Sequence, residues 1–192
     1  MGIYKAIQTL WKKPKDSIKE LQKERLIEWR RDNAVTKIYR PTRLDRARAL
    51  GYKAKRGVVL ARVRVNRGGR RRKQLKKGRR SKTQRRKKVV GKNYQWICEE
   101  RAQKYFSNLE VLNSYYVNRD GLYIWYEVIM LDPHRPEIKS DKNFKWIKFR
   151  KHTNRVLRGK TSAGRKSRGL RNKGQGAEKI RPSRRANSRK SK

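Results

Sequence analysis

A chain of 192 residues with 59 lysines and arginines against 15 acids carries a formal charge of +44, and only 34% of it is hydrophobic. An apolar share below the usual roughly 45–50% supports a core for part of the chain only, and so large a charge calls for a polyanionic partner, whose neutralised phosphates release counterions. No apolar run approaches the roughly 18 residues of a membrane-spanning helix, no signal-peptide pattern opens the chain, and the single cysteine, Cys98, excludes an intramolecular disulfide and points to a reducing, cytosolic compartment.

In chain order, KAIQTLWKK predicts a helix ending at Pro14. Ser17 and Glu20 have capping-box spacing for a second helix. Its Ile18, Leu21, Leu26 and Trp29 form an apolar stripe, and Glu20, Glu24 and Glu28 stand where neighbouring lysines and Arg31 would pair with them. VTKIY (35–39) predicts a short strand. Thr42 and Asp45 repeat the capping spacing before a helix running to Leu50, with Gly51 at a left-handed cap.

GVVLARVRVN (57–66) predicts a strand with Val59, Ala61, Val63 and Val65 on one face. Its other face turns from Val58 and Leu60 to Arg62 and Arg64, as a strand leaving the core to meet a ligand would. QWICEERAQKYF predicts a helix, while LEVLNSYYV (109–117) and LYIWYEVIML (122–131) predict a hairpin closed by Asp-Gly turn chemistry. DPHRPE breaks that pattern, and NFKWIKF (143–149) predicts one more strand.

The acids divide the chain. None lies between Asp45 and Glu99, and after Asp141 only Glu178 remains. Helices with an antiparallel hairpin and no regular βαβ alternation give an α+β fold, a small, mostly antiparallel sheet packed with helices and elaborated by long basic extensions. The organisation read from these patterns is a core of 1–65 plus 93–150, an internal basic loop of 66–92, and a basic C-terminal extension of 151–192. Neither basic tract has an apolar period with which to build a core.

Catalytic chemistry is thinly supported. His134 and His152 are the only histidines, no CxxC or HxxxH metal pattern exists, and Glu99 and Glu100 diverge around a helix. Cys98 holds an apolar position and reads as core. RGKTS (158–162) resembles a phosphate-binding loop, but the required first glycine falls on Asn154 and no buried strand precedes it. The chain reads as no enzyme, with no cofactor, metal or small-molecule substrate.

The basic tracts carry the signal. Glycine lets backbone N–H groups approach phosphates, arginine offers a planar fork to them, and serine and threonine add positioning contacts. An internal tract favours RNA over a histone-like terminal tail. Aromatic residues interleaved with cations in YQWICEERAQKYF and KNFKWIKFRKH suit stacking on unpaired bases. A free chromatin-like or RGG-like packing protein is the alternative that composition leaves open.

DRARALGYKAKRGVVLARVRVNRGGRRR (45–72), EVLNSYYV (110–117) and RGKTSAGRKSRGL (158–170), with MGIYKAIQTLW and EVIMLDP, resemble the archaeal and eukaryotic-type large-subunit ribosomal protein family fifteen, of "e" type. The resemblance departs mostly in 73–90 and after about Leu170. It implies a structural constituent of the large subunit that cross-braces ribosomal RNA, supports assembly and translation, and sits in the cytoplasmic ribosome beside neighbouring ribosomal proteins.

On the first motif it carries RNA contact to Arg46, Arg48, Lys53, Lys55, Arg62, Arg64, Arg67, Arg70, Arg71 and Arg72. On the last motif it carries contact to Arg158, Lys160, Arg165, Lys166 and Arg168. The charge of the tracts extends the expectation to Lys76, Lys77, Arg79, Arg80, Arg85, Arg86 and Arg171.

Overall fold

A computed structural model describes residues 2–71, 87–88, 91–178 and 180. Helices α1 (Ile3–Lys12) and α2 (Asp16–Arg31) lead into β1 (Val35–Ile38), α3 (Leu44–Ala49) and β2 (Val58–Asn66). A two-residue ribbon follows, β3 (Arg70–Arg71) with β4 (Lys87–Lys88), then α4 (Tyr94–Tyr105), β5 (Glu110–Arg119) and β6 (Tyr123–Leu131). The described chain closes with α5 (Pro136–Ser140), two short 3-10 turns and α6 (Ser162–Ser167).

The main sheet is antiparallel throughout, in the order β1-β2-β6-β5. Strand β6 lies inside it and is covered on both faces, which is why YIWYEVIML is apolar almost without alternation. Val128 and Met130 meet Ala61, Val63 and Val65 of β2 and Trp96, Cys98 and Ala102 of α4. Trp125 and Ile129 meet Leu60 of β2, Trp29 of α2, and Ala47 of α3 on the opposite face. The sheet is thus a middle layer between α4 and the α2–α3 pair, an α+β fold.

Among the described residues three carboxylates are buried, Glu99, Glu110 and Glu127, and the last ties these layers together. Glu127 of β6 accepts from the Thr42 hydroxyl, the Thr42 N–H and the Tyr115 hydroxyl. Burial pushes its carboxyl upward, and Thr42 and Tyr115 oppose that shift. Thr42 therefore does not cap α3, whose N-cap is Arg43 with no side-chain cap. Its donors are taken by a carboxylate 85 residues away, a tertiary competitor invisible to local spacing.

The Ser17 capping box is likewise absent, because α2 already begins at Asp16 with Lys15 as N-cap. Of the charge pairing expected along α2, the described residues show Lys19 with Asp16 at 2.8 Å, while Glu20, Glu24 and Glu28 make no ion pair. The Gly51 expectation holds. Gly51 has φ +99°, and the N–H groups of Gly51 and Tyr52 return to the Arg48 and Ala47 carbonyls as in a Schellman cap.

Residues 143–149 are not a strand. Lys145–Lys148 forms a 3-10 turn that places Phe144 and Ile147, three apart, against Leu131 and Ile138. Asp141 starts the turn by accepting from the Asn143 N–H at 2.8 Å.

The segment after 150 does not lack a core throughout, either. Val156 and Ala163 join the α4 cluster, Thr161 is fully buried, and the Trp96 indole N–H donates to the Val156 carbonyl at 2.9 Å. Its apolar residues are too few to show a period, yet they fill a surface that α4 leaves open.

Candidate nucleic-acid interface

The N-terminal end of α4 is where the two basic segments meet the core. Asn93 caps the helix by accepting from the Trp96 N–H at 2.8 Å. Tyr94, the first helical residue, clamps the exit of β2: its hydroxyl accepts from the Gly68 N–H at 2.9 Å and donates to the Gly68 carbonyl at 3.2 Å. The chain then enters the ribbon, where Arg70 stands opposite Lys88 and Arg71 opposite Lys87.

The C-terminal segment is rooted on the same helix end. The Asn93 N–H donates to Ser167 Oγ at 2.9 Å, and its side-chain amide reaches the Ala163 carbonyl at 3.4 Å. Thr161 caps α6 by accepting from the Gly164 N–H at 3.2 Å and donates to Glu99 at 2.6 Å. Glu99 also accepts from Ser114. Burial pushes its carboxyl upward against those hydroxyl bonds, and with no solvent exposure it offers no substrate access. The RGKTS stretch is thus a structural corner. Gly159 has φ +63°, and a Cβ there would lie 3.1 Å from the Trp96 ring.

The structure divides the expected contact residues by what their side chains touch. Arg165 and Lys166 are exposed, and their side chains make no hydrogen bond or ion pair among the described residues. Arg158, Lys160, Arg168 and Arg171 are exposed as well. Each spends a donor on its own loop: Arg158 on the Lys151 and Thr153 carbonyls, Lys160 on Lys151, Arg168 on Gly159, and Arg171 on Ser162 Oγ. Arginine keeps further N–H groups for a phosphate.

Arg46, Arg48, Lys53 and Lys55 are not brought to α4. Arg46 and Arg48 are exposed on α3, across the sheet. Lys53 and Lys55 are engaged with Asp141 at 3.2 and 2.7 Å and stand over the Phe144 ring.

Arg62 and Arg64 are half-buried and packed on aromatic rings. Arg62 lies 4.4 Å over the Trp29 ring and 2.7 Å from Asp32, and Arg64 lies 4.6 Å over Tyr123 while donating to the Arg30 carbonyl at 2.5 Å. They are the lid of the α2 face. Arg67 is exposed and donates to the Asp120 carbonyl beside the Gly68 clamp. Of Arg70 and Arg71 the backbone ribbon is described; Arg72, Lys76, Lys77, Arg79, Arg80, Arg85 and Arg86 lie outside the described residues.

Local reading of the sequence missed Arg155 and the roles of Asn93 and Tyr94. The Arg155 guanidinium bridges the Val111 and Leu112 carbonyls at 2.8 and 3.0 Å, 44 and 43 residues away, and lies 4.9 Å from the Trp146 ring. No local pattern encodes such partners. Asn93 did carry a signal, an Asn just before an apolar helix. No group of three or more His, Cys, Asp or Glu residues placed to hold a metal occurs among the described residues. No helix among them is long and apolar enough to cross a membrane.

A small α+β core whose α4 end holds two cation-bearing segments, and whose Glu99 and Glu127 are tied into its layers, defines a structural class of protein. The "Ribosomal L15" family model matches residues 2–187. The chain is 51% identical over 187 residues to "Large ribosomal subunit protein eL15" of Nanoarchaeum equitans (strain Kin4-M), covering 97% of this chain and 98% of that relative. It is 50% identical over 193 residues to the protein of the same name from Methanospirillum hungatei JF-1, covering 100% and 98%. The chain belongs to the eL15 family, a family of structural proteins of the large ribosomal subunit and not of enzymes.

Proposed function

We propose that the chain cross-braces ribosomal RNA within the large subunit, using the 66–92 loop and the residues from 151 onward as two arms from one root, with neighbouring ribosomal proteins on its other faces. The observation that carries this reading is the convergence on α4: Tyr94 holds Gly68, while Asn93 and Trp96 hold Ser167, Ala163 and Val156. Two cationic segments anchored to one rigid element can neutralise phosphates on separate RNA helices and fix their spacing. The α2 face bearing Glu20, Glu24 and Glu28 is the least suited to phosphate and fits a basic protein neighbour.

The working place of such a protein is the cytoplasmic ribosome, where it supports subunit assembly and translation. The test is sedimentation of tagged protein through a high-salt gradient. Co-migration with washed large subunits is expected. Migration as free protein, or with DNA, would favour the rival packing-protein reading instead.

A further inference from the structure

A cleft of about 580 Å³ opens between the start of β5, the turn after β6, α5 and the second half of the 143–153 region. Lys139, Lys148 and His134 line it together with the Phe149 ring, which is 49% exposed. Glu110 also lines it. This side chain is only 6% exposed; its Oε1 accepts from the Asn154 N–H at 2.7 Å, and its Oε2 has no hydrogen-bond partner.

Phe149 is the most exposed ring of the KNFKWIKFRKH tract. Phe144 is buried beneath Lys53 and Lys55, and Trp146 is occupied by Arg155, His152 and the Asn143 carbonyl. Lys148 and Lys151 stand 5.7 and 5.5 Å from the Phe149 centroid. A half-exposed aromatic ring, neighbouring ammonium groups and a carboxylate oxygen lacking a donor match three parts of a nucleotide: base face, phosphate and exocyclic amine.

We infer that this cleft receives one unpaired RNA nucleotide carrying an exocyclic amino group, with the base against Phe149, the amine turned to Glu110 and the phosphate on Lys139 and Lys148. This deepens the RNA-bracing reading and rests on it, since the nucleotide belongs to the RNA of the subunit. Its volume is of the size that ligand pockets need, and its charge is complementary to a backbone phosphate rather than to an acid-poor protein surface.

The test compares salt-washed large subunits carrying the wild-type chain, Phe149→Ala or Lys148→Ser, probed with dimethyl sulfate. Both side chains are exposed, so neither change removes core packing. The expected result is a several-fold gain in reactivity at one and the same adenine or cytosine in both variants, with the protein still present. If a guanine fills the site, a photocrosslinker at position 149 joins it to that single nucleotide.

An unchanged reactivity pattern with a crosslink to another protein would overturn the inference and leave the ribosomal reading standing. Absence of the wild-type protein from the washed subunits would sink the ribosomal reading itself. A second arm titrates the purified full chain with AMP, CMP and GMP. Binding no tighter than millimolar is expected, whereas tight Phe149-dependent binding of a free nucleotide with no protected RNA base would refute an RNA source.

Discussion

Replacing Arg62 with alanine should destabilise the fold before it affects RNA binding. The guanidinium sits 4.4 Å over Trp29 and 2.7 Å from Asp32, with 13% of the side chain exposed. A partly desolvated cation–π contact contributes about 1–2 kcal/mol. The charged hydrogen bond to Asp32 adds about 1 kcal/mol, since Asp32 keeps 29% exposure and can rehydrate when its partner is removed. Loss of one positive charge from a strongly cationic chain gives a little back, so the net cost is about 2 kcal/mol. For a protein of this size that lowers Tm by roughly 4–8 °C.

Thermal unfolding of the purified full chain in moderate salt reads the effect directly. Arg62→Lys should recover about half, because it restores charge but neither the flat face nor the fork. An Arg62→Ala protein with unchanged Tm and weakened RNA binding would refute the assignment of Arg62 to the fold and return it to the interface.

Gly164→Ala should disrupt the C-terminal root, because its Cβ would lie 2.7 Å from the backbone of Gly159; a cost of about 2–3 kcal/mol is expected from such overpacking, read as a lowered unfolding midpoint. Asp141 is held down at about 2, first by the Lys55 hydrogen bond and then by the Asn143 N–H and Lys53. A carboxylate depressed in the folded state stabilises above its ordinary value and loses that contribution as pH falls through about 2. The stability difference between wild type and Asp141→Asn should therefore be constant near neutrality and vanish on acidification across that window; a difference growing toward acid would contradict it. Cys98 is fully buried, and burial pushes its thiol far up, so alkylation should require unfolding; rapid labelling of the native chain would show the packing to be wrong.

Much of the fold was legible because periodicity and turn chemistry are local. The 122–131 strand, its Asp-Gly hairpin and the Gly51 cap stand where their sequence places them. Long-range competition hid the rest. Thr42 reads as a cap of α3, yet Glu127 claims its donors; Arg62 and Arg64 read as a cationic exit, and long-range packing sets Arg62 over Trp29 and Arg64 over Tyr123. NFKWIKF alternates like a strand, yet the i,i+3 pair Phe144 and Ile147 faces one cluster. The two basic tracts were visible as charge, but their common root was not. It depends on a few hydrogen bonds between Asn93, Tyr94 and Trp96 and residues 26 to 74 positions away.

The central claim is that two arms from one root hold separate stretches of ribosomal RNA. Crosslinking of intact large subunits, with photoreactive groups placed in turn at Gly69 and at Lys166, tests it most directly. Both positions should join to ribosomal RNA, at nucleotides belonging to different helices. Crosslinks confined to a single helix, or to protein alone, would contradict the account.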